Sequence, residues 1–234
     1  MLILYTKHLF SLKMMLVNIK KAFEENRNDE NAGPMKAYMK NQFKFLGIKS
    51  PERRELSKPF LTKTSLPHKE QIWPVIREFW KLPEREYQYF GMELFEKYNK
   101  VVEKSWIDHY EYMITQKSWW DTVDFIAITL VGNYFTHFQD QIEPVTKKWM
   151  KSHHIWLQRS CLLFQLKYKG NTDTDLLTSF IIPLVESKEF FIAKAIGWAL
   201  REYSKTDPHW VSKFVSNHTL QPLSKKEALK RISV

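Results

Sequence analysis

A tyrosine that closes an apolar helical segment recurs about every 35 residues, at Tyr98, Tyr134, Tyr168 and Tyr203. The segments are Met92–Tyr98, Ala127–Tyr134, Leu163–Tyr168 and Trp198–Tyr203. The last two units align further: Ser152, Trp156, Arg159 and Tyr168 stand against Ser187, Phe191, Lys194 and Tyr203. A period of this length, with two helices per unit, means units that cannot bury their apolar faces alone and must stack on their neighbours. The expected fold is therefore all-α, an α-solenoid of HEAT-like repeats with a concave basic groove. Six glycines among 234 residues disfavour an all-β chain with many tight turns, and neither a Walker pattern nor a dinucleotide fingerprint is present. Pro34, Pro51, Pro67, Pro83 and Pro208 fall between the helical stretches. Ser50 before Pro51 reads as an N-cap, and Ser224 with Glu227 as a capping box.

Lys and Arg number 36 against 26 acids, a net charge of +10. That balance favours a polyanionic partner, nucleic acid first and an anionic membrane surface second. If Arg159 and Lys194 face inward from successive repeats, they form a basic ladder for a duplex that carries a phosphate charge about every 1.7 Å. A protein-binding scaffold with its cations on the convex face is the competing possibility. The single cysteine, Cys161, sits in an apolar run, so neither a disulfide framework nor a thiolate metal site is expected. The histidines show no metal-ligand spacing, and no cofactor is expected. Residues 1–14 read as an N-terminal extension and 15–234 as one domain. No stretch is apolar enough to span a membrane or looks like a cleavable signal, so the chain is expected to be cytoplasmic.

Lys117-Ser-Trp-Trp-Asp-Thr-Val-Asp124 concentrates two indoles and two carboxylates. Ser118 and Asp121 read as an N-cap and its partner at N3. Trp120 and Asp124 then share a helix face at i and i+4, while Trp119, about 100° away, packs into the core. Trp198 has Lys194 and Arg201 on its own face, which suits an exposed indole packed against those cations, with core packing the equal alternative.

These residues resemble the AlkD-type DNA alkylation repair family, alkylpurine DNA glycosylases built of HEAT-like repeats. The resemblance runs from about Leu16 to Arg231. It rests on Pro34–Asn41, Phe45–Arg54, Leu82–Glu86, Lys117–Asp124, Ile155–Arg159, Lys188–Phe191, Lys194–Trp198 and Arg201–Tyr203. It implies that Asp124 is the catalytic carboxylate, with Trp120 and Trp198 as the active-site tryptophans. Arg159 is implied as a DNA-contacting arginine, Tyr38 as an aromatic near the lesion, and Arg201 as a basic residue beside the second tryptophan. Lys194 and Arg54 are further DNA-binding candidates. The implied substrate is double-stranded DNA bearing cationic N3- or N7-alkylated purines, attacked without base flipping. A monomer with no obligate protein partner is expected. A relative that binds damaged or branched DNA without catalysis is the alternative, and the presence of Trp120, Asp124 and Trp198 weighs against it.

Overall fold

The computed structural model describes residues 2–232, with side chains from Met14 onward. Among the described residues the chain is helical and contains no strand; an isolated bridge between Lys44 and Glu84 is its one extended pairing. Two compact units form, one up to Val101 and one from Val102 onward.

The first unit contains α1 (Leu2–Glu25), α2 (Asp29–Tyr38), α3 (Ser50–Ser57), α4 (Ile72–Lys81) and α5 (Arg85–Glu96). Helix α1 runs unbroken through the boundary expected at residue 14. Asn28 starts α2 by accepting a hydrogen bond from the Asn31 N–H at 3.0 Å, and Asp29 and Glu30 favour the positive end of the helix. In α4 the spacing of Ile72, Val75, Ile76, Phe79 and Trp80 puts them on one buried stripe. Phe90 of α5 meets that stripe edge-on, 4.8 Å from the Phe79 ring. The segment between α2 and α3 is tied down by Glu86, whose carboxylate accepts from the backbone N–H groups of Leu46, Gly47 and Ile48. Burial pushes this carboxyl above its ordinary value, and the N–H donors pull it back. Gly47 is required there: its φ is +89°, and a Cβ would lie 1.9 Å from the Asn28 carbonyl oxygen. Helix α3 begins one residue earlier than the Ser50 cap predicts, with Lys49 in the capping position and no side-chain cap bond.

The second unit consists of α6 (Trp106–Thr115), α7 (Trp120–Phe125), a π-helical segment (Ile126–Val131), α8 (Gly132–His137), α9 (Ile142–Lys151), α10 (Ile155–Leu163), α11 (Thr174–Ile181), α12 (Phe190–Tyr203), α13 (Pro208–Asn217) and α14 (Pro222–Ala228). Helix pairs stack in chain order, as the repeat period predicts. Helix α10 packs on α7 on one side and on α12 on the other, and α12 packs on α14. The recurring tyrosines have a common job. Tyr134 donates its hydroxyl to the Lys104 carbonyl at 2.8 Å, and Tyr168 donates to the Gly132 carbonyl at 2.6 Å. In the first unit Tyr98 donates to the Pro67 carbonyl in the same way. Each hydroxyl thus reaches back about one repeat and donates to a backbone carbonyl of the preceding segment. Burial pushes the Tyr98 and Tyr134 hydroxyls up to about 12. Tyr203 instead sets its ring edge-on against Trp210 at 5.4 Å.

The capping box expected at Ser224 and Glu227 does not form. Pro222 in the first turn, after Gln221, starts α14, and Ser224 lies inside the helix, donating to the Ala193 carbonyl at 2.8 Å. The approach of α14 to α12 depends on Gly197, where a Cβ would come within 2.6 Å of Glu227 Cβ and 2.9 Å of the Ser224 carbonyl oxygen. Gly197→Ala is expected to force the helices apart and destabilise the protein by about 1–3 kcal/mol. A thermal melt unchanged from the parent would show that α14 yields freely.

Candidate active site

Helix α7 begins differently from the sequence expectation. Ser118 donates its hydroxyl to the Ile114 carbonyl at 2.6 Å, so it closes α6 rather than capping α7. Trp119, with extended backbone, holds the capping position without a side-chain bond, and Asp121 has no cap to complete. Trp119 is nevertheless a packing residue as predicted. Its ring lies 5.0 Å from Phe191 and 5.7 Å from Trp156. Trp120 and Asp124 fall on the single regular stretch of α7, one turn apart, just before the π-helical turn at Ile126.

Asp124 does not stand alone. Arg159 of α10, which follows it by 35 residues, donates Nε to one carboxylate oxygen at 2.7 Å and Nη2 to the other at 2.8 Å. Arg159 Nη1 donates to the Phe191 carbonyl at the start of α12. One guanidinium therefore fastens three helices, α7, α10 and α12. The arginine side chain is 5% exposed and the aspartate 14%. The expectation that Arg159 lines an open groove is corrected: the planar fork that suits it to phosphate is committed to a carboxylate and a carbonyl. Burial pushes the Asp124 carboxyl above its ordinary value, the hydrogen bonds and charge of Arg159 pull it down, and Asp121 nearby pushes it up. Both oxygens accept N–H donors, the pattern of an ionised carboxylate. Such a group has about four lone-pair sites, so two remain for a substrate or a water at its exposed edge.

Trp198 is half-buried on α12. Lys194 and Arg201, one turn to either side of it, both converge on Glu227 of α14; Lys194 Nζ is 2.9 Å from that carboxylate. Glu227 is held below its ordinary value, first by the Lys194 hydrogen bond and further by the charges of Lys194, Arg201 and Lys230. The basic ladder predicted from Arg159 and Lys194 is thus neutralised rung by rung, each cation by an acid on a neighbouring repeat. Glu227 went unnoticed as a site residue, although it follows Lys194 by 33 residues, close to the repeat period.

Tyr38 and Arg54 belong to the first unit. Tyr38 is 69% exposed at the end of α2. Arg54 is exposed on α3, because its neighbour Arg53 turns inward and takes the bidentate bond to Glu93 at 2.8 and 2.9 Å. Among the described residues no His, Cys, Asp or Glu cluster could hold a metal ion, and no helix is long and apolar enough to cross a membrane. The Cys161 thiol is buried and its acidity suppressed by that burial, so it offers no nucleophile.

The profile of a family described as DNA alkylation repair enzyme matches residues 19–232. A solved structure described as a predicted DNA alkylation repair enzyme from Enterococcus faecalis is 36% identical, with a TM-score of 0.82 over 88% of this chain and 97% of that one. No curated protein matches.

Proposed function

Because the chain belongs to the DNA alkylation repair enzyme family, we propose that it is a glycosylase for cationic N3- and N7-alkylated purines in duplex DNA. The observation that carries this reading is Asp124, a mostly buried carboxylate with an exposed edge, fixed through both oxygens by Arg159 and one turn from Trp120. Alkylation at N3 or N7 makes the purine cationic, so it departs as a neutral base with no acid needed to protonate it. What the protein must stabilise is the positive charge that grows on the deoxyribose as the C1′–N9 bond breaks. An anion already fixed in a low-dielectric surface does this without reorganisation. The lone pairs that Arg159 leaves free can also orient the attacking water and take its proton. The faces of Trp120 and Trp198 add attraction for the sugar cation. In this reading Arg159 is a positioning residue, and neither a metal nor another cofactor takes part. Lys194 and Arg201 beside Trp198, and Tyr38 and Arg54 on the first unit, are the proposed DNA contacts. The protein acts as a single chain, and the lesion is not drawn into a base-reading pocket.

Since charge on the base drives its departure, release should depend on lesion charge more than on shape. The purified protein is expected to free 7-methylguanine from methylated duplex DNA and to leave uracil in place in an otherwise identical duplex. Equal release of the neutral base would overturn the mechanism.

A further inference from the structure

Beyond Trp198, helix α12 ends in an open cleft of about 470 Å³ whose walls are Arg201, Glu202, Lys205, Lys230 and Arg231. Lys230 and Arg231 come from the single turn Leu229–Arg231 that follows α14, and both are exposed. Two acids organise this charge without cancelling it. Glu202 holds Lys205 at 2.5 Å, and Glu227 holds Arg201 together with Lys194. Lys230 is near enough that its charge helps to depress Glu227. Among the described residues, the two acids Glu202 and Glu227 form their ion pairs with Lys205, Lys194 and Arg201 rather than with Lys230 or Arg231. The walls are charged throughout, which suits an anion and offers nothing to a base or a lipid chain. From Trp198 to its end at Tyr203 the helix rises roughly 7.5 Å, about two nucleotide steps at 3.4 Å, and Lys205 lies in the turn just beyond.

We propose that this cleft is a phosphodiester site, in which Lys230 and Arg231, with Lys205 and Arg201, grip the DNA backbone two or more nucleotides beyond the sugar that faces Trp198. Glu227 and Glu202 are its braces: they fix the long side chains of Arg201 and Lys205 so that less conformational entropy is lost when the strand arrives. The site rests on the reading of the protein as one that works on duplex DNA, and adds two phosphate contacts from the turn after α14. Gly197 serves the same end, since it lets α14 carry that turn up to α12.

The test is binding of an unmodified duplex by fluorescence anisotropy over roughly 50 to 200 mM salt, where each phosphate contact contributes about 0.9 to the slope of log K against log salt. K230A/R231A is expected to reduce the slope by about 1.8. K225A/K226A removes the same charge from exposed lysines of α14 outside the cleft and should leave the slope near the parent's. Equal reductions in the two variants, or no reduction in the first, would overturn the site. So would a parent protein that does not bind duplex DNA. The readout involves no bond cleavage. A protein that binds with the expected slopes yet releases no base would remove the glycosylase reading and keep the phosphate site.

Discussion

Asp124→Asn is expected to lower single-turnover release of 7-methylguanine by about 10²- to 10³-fold, the loss seen when one preorganised charge-stabilising group is removed from a site. The substitution keeps the side chain's volume and one oxygen to accept from Arg159, but removes the negative charge facing the sugar. It also has a structural cost. The guanidinium stays behind in a site that is 5% exposed, without its counterion, and leaving a buried charge unpaired costs about 3–5 kcal/mol. Rates must therefore be referred to the folded fraction, measured by thermal melt in the same buffer. If the folded variant releases base at the parent's rate, Asp124 is not the group that meets the sugar cation.

Arg159→Ala leaves the opposite orphan. The Asp124 carboxylate keeps the burial that pushes it up and loses the bonds that pull it down, so it climbs further above its ordinary value. A carboxyl raised above its unfolded-state value contributes stability that is present at low pH and is lost as pH rises through the folded-state value. The variant should consequently be destabilised by about 3–5 kcal/mol at neutral pH. Its deficit should shrink on acidification, when Asp124 can be buried as the neutral acid. Base release should show the matching shift, its acidic limb moving to higher pH because the reactive form is the anion. Arg159→Lys restores the charge without the two-pronged fork, and should recover part of the stability and part of the pH shift. A stability deficit constant with pH would mean that Arg159 braces the three helices through packing alone.

The repeat period carried the fold well because it records a physical necessity, the stacking of units that cannot bury their own faces. It led to the all-helical architecture and to the tyrosines, although not to what their hydroxyls bind. Local motifs fared worse. Ser118 and Ser224 both match a capping pattern, yet each gives its hydroxyl elsewhere, Ser118 to the Ile114 carbonyl four residues back in α6 and Ser224 to the Ala193 carbonyl of α12. A pattern that looks only forward from the serine registers neither a carbonyl one turn behind it nor one that tertiary packing supplies. Trp120, Asp124 and Trp198 rest on resemblance, and Trp119 packs as expected but from the extended capping position rather than from a helix face about 100° from Trp120. The orientation of Arg159 was not legible. Net charge and repeat equivalence point to an open row of cations, but each acid that closes a pair lies on a different repeat from its cation. Arg159 with Asp124 and Lys194 with Glu227 are separated by 35 and 33 residues. The period itself held that information, had acids and cations been matched across it.

The hydroxyls of Tyr134 and Tyr168 give the second unit a ratchet of order. In a stacked array, stability is a sum of weak units and the couplings between neighbours, so an array with feeble couplings melts piecemeal. Each phenolic bond ties a repeat to a carbonyl of the one before it, and loosening one repeat strands a hydroxyl donor in the next. Amide exchange through the middle of this unit should therefore occur as one cooperative opening rather than helix by helix. The chain of ties stops at Tyr203, whose ring meets Trp210 edge-on instead, so α13 and α14 are free to exchange faster than the helices that hold the carboxylate.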